Sequence, residues 1–284
     1  MITIFQKIPE SDFRTVAETY TRVGELLEEK GNFDSSLYSF KKALKIYSKN
    51  CGSDDVVVGK TLHRLGKIYD QLGEIDKSIA CFSEAIKIFR VKLGNDDISV
   101  SQSLMCLGKN YARKKQYAKA VELCTESLRI QKEDSEENRG DIAGSLTNIG
   151  NILNEWGKTD QALRFYEEAL REYDQTEEPD DEEVANCQQN IGVLHKRLGD
   201  FETALGCFGK ALRGHRSIDG DKSLSVATDL YHMGMIYDSF GDVEKALQCF
   251  QECLKIRKKE LGDDHLDVLA ARRFVATLQR KQRY

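Results

Sequence analysis

The sequence predicts an all-α repeat solenoid, and three observations support that prediction. Glycines recur every 42 residues without a gap or an insertion, which predicts six repeats. Apolar residues between them are spaced as on one face of a helix, and only two prolines occur in 284 residues. The members of this glycine column are Gly24, Gly66, Gly108, Gly150, Gly192 and Gly234.

Each repeat is expected to contain two amphipathic helices, A and B. In the second repeat, Leu65 and Tyr69 precede a turn, and Ile79, Phe82 and Phe89 follow it at helical spacing. The column glycine falls inside helix A, where it costs about 0.5–1 kcal/mol relative to alanine. We therefore expect a close approach of helix B at this point.

Two further columns predict the turns. A glycine seven residues after the first marks the turn from A to B, except where Lys115 takes its place. Glycine also recurs between helix B and the next helix A, as Gly52, Gly94, Gly220 and Gly262. Aspartates nearby are expected to cap helices: Asp34, Asp76 and Asp160 for helix B, and Asp54, Asp96, Asn138, Asp180 and Asp264 for helix A.

The predicted organisation has three parts. Residues 1–16 form a lead-in, six repeats fill residues 17–268, and residues 266–284 hold a capping helix and tail. A lone repeat buries too little apolar surface to offset its loss of conformational entropy, so stacking on neighbours must stabilise it. The predicted repeats are 17–58, 59–100, 101–142, 143–184, 185–226 and 227–268.

Composition excludes several functional classes. The formal net charge of −5 gives no general attraction for nucleic acid. No apolar run approaches the roughly 20 residues that span a bilayer, and the first ten residues lack the apolar run of a secretory signal. We therefore expect a cytoplasmic protein that neither binds nucleic acid nor inserts into membranes.

The cysteines and histidines predict neither a metal site nor a cofactor site. No CxxC pair or zinc-finger spacing occurs among them, so the thiols are expected to be reduced. Cys249 and Cys253 lie four residues apart and are interpreted as packing residues, and His195 as a core histidine bonded to a neighbour. The eight cysteines are Cys51, Cys81, Cys106, Cys124, Cys187, Cys207, Cys249 and Cys253.

The repeat resembles the tetratricopeptide repeat (TPR), and the 42-residue spacing looks like the kinesin light chain variety. That resemblance covers residues 17–268 and implies a right-handed superhelical solenoid of six helix-turn-helix repeats plus a C-terminal capping helix. The family's closing proline is absent, which predicts a longer helix B. The second repeat carries the pattern as Leu65, Gly66, Tyr69, Gly73, Ser78, Phe82 and Ala85, and the missing prolines are at Ser48, Arg90, Lys132, Asp174, Arg216 and Lys258.

The resemblance also implies that helix A lines a concave groove. Asparagine amides there could pair with the backbone of an extended peptide, and basic neighbours would favour acidic residues in it. The alternative interpretation is a solvated helix face with ordinary polar residues. The expected peptide-binding residues are Lys67, Lys109, Arg113, Asn148, Asn151, Asn154, Asn190, Lys196 and Arg197, and the first repeat adds an acidic end at Glu18, Glu25, Glu28 and Glu29.

The predicted function is therefore a protein-protein interaction module or adaptor that binds a peptide segment of a partner. No phosphate-binding glycine loop, GxSxG, HExxH or nucleophile beside a base occurs, so no catalytic residue is assigned and no enzyme is expected. Two alternatives remain open. One is a scaffold or homo-oligomer that uses the outer helix B surface, and the other is the regulatory TPR part of a larger enzyme.

Overall fold

The repeated pattern forms paired helices in a computed structural model, which describes residues 13–134, 139–176 and 181–282. Within these ranges the chain has thirteen α-helices and no strand, which confirms the all-α repeat solenoid. None of the described helices has the length and hydropathy needed to cross a membrane. The helices are α1 (Phe13–Glu29), α2 (Phe33–Cys51), α3 (Val56–Gln71), α4 (Ile75–Leu93), α5 (Ile98–Arg113), α6 (Tyr117–Asp134), α7 (Arg139–Glu155), α8 (Thr159–Tyr173), α9 (Asp181–Leu198), α10 (Phe201–Asp219), α11 (Leu224–Ser239), α12 (Val243–Leu261) and α13 (Leu266–Lys281).

The chain divides into two compact units, Met1–Lys158 and Thr159–Tyr284. In the N-terminal unit, α1 packs on α2, α3 on α4 and α5 on α6, and each helix B also packs on the next helix A. In the C-terminal unit the same order joins α9 to α10 and α11 to α12, followed by α13. Each helix is therefore buried mainly by its neighbours in the chain, as in a solenoid.

The expected close approach at the glycine column is confirmed. A Cβ added to Gly66 would lie 2.8 Å from the ring of Phe82, which is itself buried. At Gly108 the same added atom would overlap Cys124 Sγ and lie 3.0 Å from the Ala120 carbonyl oxygen. Three more pairs repeat the contact at about 3.0 Å: Gly24 with Phe40, Gly192 with Phe208, and Gly234 with Phe250.

A hydrogen bond holds the same crossing in the first two repeats. Ser36 Oγ donates to the Gly24 carbonyl at 2.8 Å, and Ser78 Oγ donates to the Gly66 carbonyl at 2.7 Å. Both serines are fully buried, so each donor is satisfied at the place where the two helices come closest. The small residue after the turn is therefore a polar link as well as a spacer.

The turns between A and B require a left-handed residue. Gly73 has φ of 74°, and Lys115 has φ of 59° in the equivalent place. A side chain in this conformation costs roughly 1–2 kcal/mol. Lys115 therefore adopts the glycine geometry at an energetic cost that the flanking helices α5 and α6 must offset.

The predicted helix caps are wrong by one or two residues. Helix B is capped by Asn32, whose side chain accepts from the Ser35 amide at 3.2 Å, while Asp34 and Asp76 lie in the first turn. Helix A is capped by Asp55, which accepts from the Val57 amide at 2.9 Å, while Asp54 pairs with Lys92 instead. Of the other predicted caps, Asp160 lies in the first turn of α8, Asp96 pairs with Arg129, and Asp264 directly precedes the actual cap of α13. Asn138 and Asp180 lie outside the described residues. The remaining observed caps are Asp97, Asp200, Ser223, Asp242 and His265.

The error has a simple physical origin. In the first repeat the cap Asn32 directly follows the left-handed turn glycine Gly31, so the cap lies two residues before the predicted Asp34. Asp34 and Asp76, two positions after the cap, are still favourable, because the helix dipole stabilises negative charge in the first turn.

The prediction of an extended helix B is confirmed in five of six repeats. Helices α2, α4, α10 and α12 each run three residues past the position of the missing proline, and α6 runs two residues past it. Helix α8 is the exception, because it ends at Tyr173, one residue before that position.

Ion pairs connect successive repeats at repeating positions. Arg90 of α4 lies 2.7 Å from Glu126 of α6, and Arg216 of α10 lies 2.6 Å from Glu252 of α12. Helix A is linked in the same way, since Asp70 pairs with Arg113 in the N-terminal unit. Partly exposed pairs of this kind contribute about 0–1 kcal/mol each, so they fix stacking geometry more than they stabilise it.

The last helix differs from the others on the side where a helix B would pack. Ala276 stands 42 residues after Gly234, and Arg272 and Gln279 replace the leucine and aromatic residues of earlier repeats. All three are exposed. A polar outer face is what a terminal cap requires.

We predict that Gly66→Ala destabilises the protein by about 1–3 kcal/mol, because the new methyl group must displace the buried ring of Phe82. The measurement is the urea midpoint followed by circular dichroism. The matched control is Gly206→Ala in α10, where an added Cβ meets no atom within 4 Å, and it should stabilise by about 0.5–1 kcal/mol. Equal effects of the two substitutions would contradict the proposed role of the crossing.

Candidate functional site

The residues predicted to bind a peptide all lie on A helices. They are divided between the two compact units. Lys67, Lys109 and Arg113 are exposed, and the three asparagines of α7 are half-buried. The N-terminal unit holds Lys67 in α3, Lys109 and Arg113 in α5, and Asn148, Asn151 and Asn154 in α7, and the C-terminal unit holds Asn190, Lys196 and Arg197 in α9.

The asparagines of α7 form a row along one helix face. Asn148, Asn151 and Asn154 are spaced three residues apart, so they lie on successive turns. Each of the three residues is half-buried. Such a row offers paired donors and acceptors to a chain that runs along the helix.

Two of the predicted basic residues of the N-terminal unit have carboxylate partners. Lys67 Nζ lies 3.6 Å from Glu28 Oε1, and Arg113 pairs with Asp70. Lys109 is exposed and forms no ion pair within the described parts of the chain. Of these three basic residues, Lys109 is therefore the one without a carboxylate partner among the described residues.

In the C-terminal unit the basic residues face neighbouring side chains. Lys196 Nζ lies 2.9 Å from His232 Nδ1, and burial lowers the pKa of this lysine. Burial, with the charges of Lys196 and Arg257, lowers the pKa of His232 to about 4. The ring is therefore neutral, and its Nδ1 accepts a hydrogen bond from the lysine ammonium group. Arg197 donates to Thr159 Oγ1 at 2.8 Å. Only part of the predicted basic border is therefore available to a ligand.

A cleft of about 340 Å³ lies on the helix A side of the N-terminal unit. Three successive A helices contribute its walls, and two aromatic residues from the ends of α2 and α4 contribute to its lining. We call it the first-unit cleft. Its lining residues are Thr21 and Glu25 of α1; Val57, Lys60, Thr61, His63 and Arg64 of α3; Ser99 and Gln102 of α5; and Tyr47 and Phe89.

Charge at one end of the first-unit cleft is largely compensated. Glu25 accepts from Arg64 and from Arg22, each at 3.1 Å. Glu28 lies 3.9 Å from Arg64 and also pairs with Lys67. The acidic end expected in the first repeat is thus partly neutralised by helix α3, while Lys60 at the cleft is exposed and unpaired among the described residues.

His63 is held in a defined tautomer. Its Nδ1 lies 2.8 Å from Ser103 Oγ, and Ser103 donates its own proton to the Ser99 carbonyl at 2.9 Å. The imidazole must therefore donate from Nδ1, which leaves Nε2 unprotonated. Burial, with the charges of Lys67 and Arg64, lowers the pKa of His63 to about 4. The cleft thus contains a neutral imidazole.

A buried polar network occupies the equivalent level of the C-terminal unit. Asp229 Oδ2 lies 2.7 Å from His215 Nδ1, and Asp229 Oδ1 accepts from Gln189 Nε2 at 2.7 Å. His215 Nε2 lies 3.3 Å from Asn186 Oδ1. Both members of the His215 and Asp229 pair are almost completely buried. The network therefore joins α9, α10 and α11 through groups that could not be left unpaired.

The buried network of His215 and Asp229 was not predicted from the sequence, although the repeats contain a signal for it. The column that holds Tyr47, Phe89 and Tyr173 has His215 in the fifth repeat. The column that holds small residues elsewhere has Asp229 in the sixth. His215 and Asp229 both differ in residue type from the equivalent positions of other repeats, and a histidine and an aspartate at positions that pack together predict a hydrogen-bonded pair.

The cysteines behave as packing residues. Cys249 and Cys253 belong to one apolar cluster with Ile256, and burial raises the pKa of both thiols to about 11. His195 is half-buried and lies 3.1 Å from Asp200, as the prediction of a bonded histidine required. Within the described ranges, no group of three or more potential ligands is placed to hold a metal ion.

We predict that His63→Gln weakens the dependence of stability on pH. The folded pKa of about 4 lies below the ordinary 6.5, so only the unfolded chain takes up this proton between those values. Its contribution to stability is complete above about pH 6.5 and is lost as the pH falls toward 4. Between pH 7 and pH 5, the free energy of unfolding of His63→Gln should therefore fall by up to about 2 kcal/mol less than that of the parent protein.

The measurement is the urea midpoint at both pH values. His265→Asn is the control, since it removes an exposed imidazole and keeps a capping acceptor on α13. If the parent and His63→Gln lose stability equally between pH 7 and pH 5, the assignment of a neutral buried ring is wrong.

Comparison with known proteins agrees with the repeat fold. A comparison with curated proteins finds no significant match. A repeat protein described as a putative kinesin light chain from Podosopora anserina is 15% identical over 74% of this chain and 98% of its own, with a TM-score of 0.63. The STAND protein PH0952 from Pyrococcus horikoshii, described as having a tetratricopeptide repeat sensor, is 15% identical over 94% of this chain and 39% of its own, with a TM-score of 0.76.

A third structure, YrrB, is described as a TPR protein with an unusual peptide-binding site. It is 18% identical over 82% of this chain and 97% of its own, with a TM-score of 0.52. At these identities the structures show a shared fold. The family model described as tetratricopeptide repeat matches residues 15–90, 99–175, 141–217, 183–259 and 225–284. The chain therefore belongs to the tetratricopeptide repeat family.

Proposed function

We propose that this chain is a protein-interaction module that binds an extended peptide segment of a partner on its helix A surface. Membership of the TPR family supports the general role. The first-unit cleft carries the more specific proposal, because three successive A helices present polar groups there around aromatic lining residues. YrrB, which shares the fold, is described as having an unusual peptide-binding site, and this is consistent with the proposal.

The cleft suits one side chain and the adjoining backbone of a bound peptide. Tyr47 and Phe89 provide apolar contact area, and burying an apolar side chain against them contributes about 1.5–3 kcal/mol. Thr61, His63 and Gln102 provide hydrogen-bonding groups at the same place. An apolar pocket with a few fixed polar groups is the usual form of a specific binding site.

The asparagine row continues the contact with the peptide backbone. In this proposal Asn148, Asn151 and Asn154 bind backbone amides, so they recognise an extended chain without selecting its side chains. In the C-terminal unit Asn190 has the same role, and Lys196 and Arg197 border it as residues that favour acidic side chains in the peptide. The protein acts as a cytoplasmic adaptor without catalysis of its own.

Exposed lysines give a preference for acidic residues in the partner. Lys60 and Lys109 are exposed and form no ion pair within the described residues, so both are available to a ligand carboxylate. Lys67 and Arg113 must first leave Glu28 and Asp70. We therefore assign most of the charge preference to Lys60 and Lys109.

A second candidate function is self-association through helix B. Tyr38 of α2 and Val91 of α4 are large apolar residues with 50% and 78% of their surface exposed. Such residues are suitable for contact with a second copy. Light scattering over a range of protein concentrations distinguishes this function, since a dimer that binds no peptide would favour it.

We predict that changing Asn151 and Asn154 together to alanine lowers peptide affinity about tenfold or more, since two hydrogen-bonding partners are lost. The probe is a phage-displayed library of random twelve-residue peptides. Peptides that the parent protein selects are then measured by fluorescence anisotropy against both proteins. Peptides with acidic residues should also bind more weakly as salt concentration rises.

The matched control is Asn50→Ala in α2, an exposed asparagine on a helix B. It should leave peptide affinity unchanged, and circular dichroism should show that all three proteins are folded. Equal affinity of the double variant and the parent, with folding intact, would contradict the assignment to the asparagine row.

A further inference from the structure

Lys196 in the C-terminal unit is an amine without a counter-ion. Its Nζ atom lies 2.9 Å from His232 Nδ1 and 3.8 Å from Met235 Sδ, and it forms no ion pair with any described residue. The side chain is half-buried, and burial lowers its pKa. More of this amine is therefore unprotonated at neutral pH than in a fully exposed lysine, and the unprotonated form is the nucleophile.

The equivalent position of the first repeat carries ion pairs instead. Glu28 stands there, four 42-residue periods before Lys196. The residues 36 and 39 positions after Glu28 are Arg64 and Lys67, which lie 3.9 and 3.6 Å from its carboxylate oxygens. The two neutral side chains beside Lys196 stand at the same two spacings. A carboxylate between two cations is therefore replaced in the fifth repeat by an amine between two neutral groups.

Two carboxylates close to Lys196 in the sequence or in the repeat register have other partners. Asp200 caps α10 and lies 3.1 Å from His195 Nδ1. Asp238 follows Lys196 by one 42-residue period and lies 2.8 Å from Lys281. Neither carboxylate is therefore placed to hold the amine in its protonated form.

His232 is held beside the amine by aromatic neighbours. Its ring stacks on Phe208 with 5.1 Å between the centroids, and Tyr231 contacts it edge-on at 6.0 Å. Arg257 lies over the other ring of this pair, 4.7 Å from the Tyr231 centroid. Since the pKa of His232 is lowered to about 4 by burial and by the charges of Lys196 and Arg257, the imidazole is neutral and Nδ1 can take a proton from the amine.

We propose that Lys196 is a covalent binding site for an aldehyde and that His232 accepts the protons that the amine releases. Nζ attacks the carbonyl carbon and forms the new C–N bond. The two protons of the neutral amine are carried one at a time by His232 Nδ1 to the former carbonyl oxygen, which departs as water. Amine and aldehyde thus give an imine and water, without an oxidant or a reductant.

The test is labelling of the full chain with propanal and sodium cyanoborohydride at pH 7, followed by mass spectrometry of its peptides. The reductant converts each imine into a stable propylamine, so the initial rate at each lysine reports imine formation. We expect Lys196 to react at least about threefold faster than Lys255, an exposed lysine of α12. A rate at Lys196 equal to or below that of Lys255 would overturn the proposal.

A matched pair of variants tests the missing counter-ion. Met235→Glu places a carboxylate beside the amine and should slow labelling of Lys196 about tenfold, because the ammonium form gains an ion pair. Met235→Gln has the same size without the charge and should change the rate less than about twofold. Circular dichroism checks that both variants are folded. Equal rates in the two variants would contradict the proposal.

The role of His232 is tested by the dependence of the labelling rate on pH. His232→Phe keeps a ring that can stack on Phe208 and removes the proton acceptor. At high pH, where the amine is fully unprotonated, the rate at Lys196 should be about fivefold lower than in the parent. A purely structural role would move the pH at which the rate rises and leave the high-pH rate unchanged, which would overturn the assignment. The inference goes beyond the proposed peptide binding, and since no peptide is present in these measurements, failure of that function would not alter their outcome.

Discussion

The structure depends on the crossing of helix A and helix B at a glycine. Without a Cβ at Gly24 or Gly66, the rings of Phe40 and Phe82 lie against the helix A backbone, and a buried serine bonds to the glycine carbonyl in each case. Each crossing sets the angle at which a repeat presents its faces to its neighbours. Because the crossing recurs every 42 residues, the remaining contacts of the solenoid recur with it.

Much of the fold could be predicted from the sequence because its strongest signals are periodic. The paired helices, the close approach at glycine and the longer helix B follow from residues that repeat, so one interpretation is tested six times. The caps were less predictable. Asp54 and Asp55 are adjacent and chemically identical, and only the backbone geometry decides that Asp55 caps α3 while Asp54 pairs with Lys92.

The surroundings of the candidate site could be predicted only in part, for a physical reason. Register places Lys67 and Arg113 on A helices, but it cannot show that Glu28 and Asp70 pair with them. Phe89 is a second case, since its spacing predicts a place on the apolar face of helix B, and the structure shows that it also lines the first-unit cleft. Contacts between successive repeats determine both which basic residues are paired and which aromatic residues line the cleft. The sequence pattern of a single repeat does not reveal such contacts.

The pairing of Asp70 with Arg113 links recognition to mechanics. The same guanidinium joins two successive A helices and lies among the residues proposed to meet a ligand carboxylate. In the proposed complex, a ligand carboxylate that pairs with Arg113 would remove an ion pair between α3 and α5. Any effect of that binding on the spacing of the two helices would be matched by an equal effect of their spacing on binding, because a coupling free energy is reciprocal.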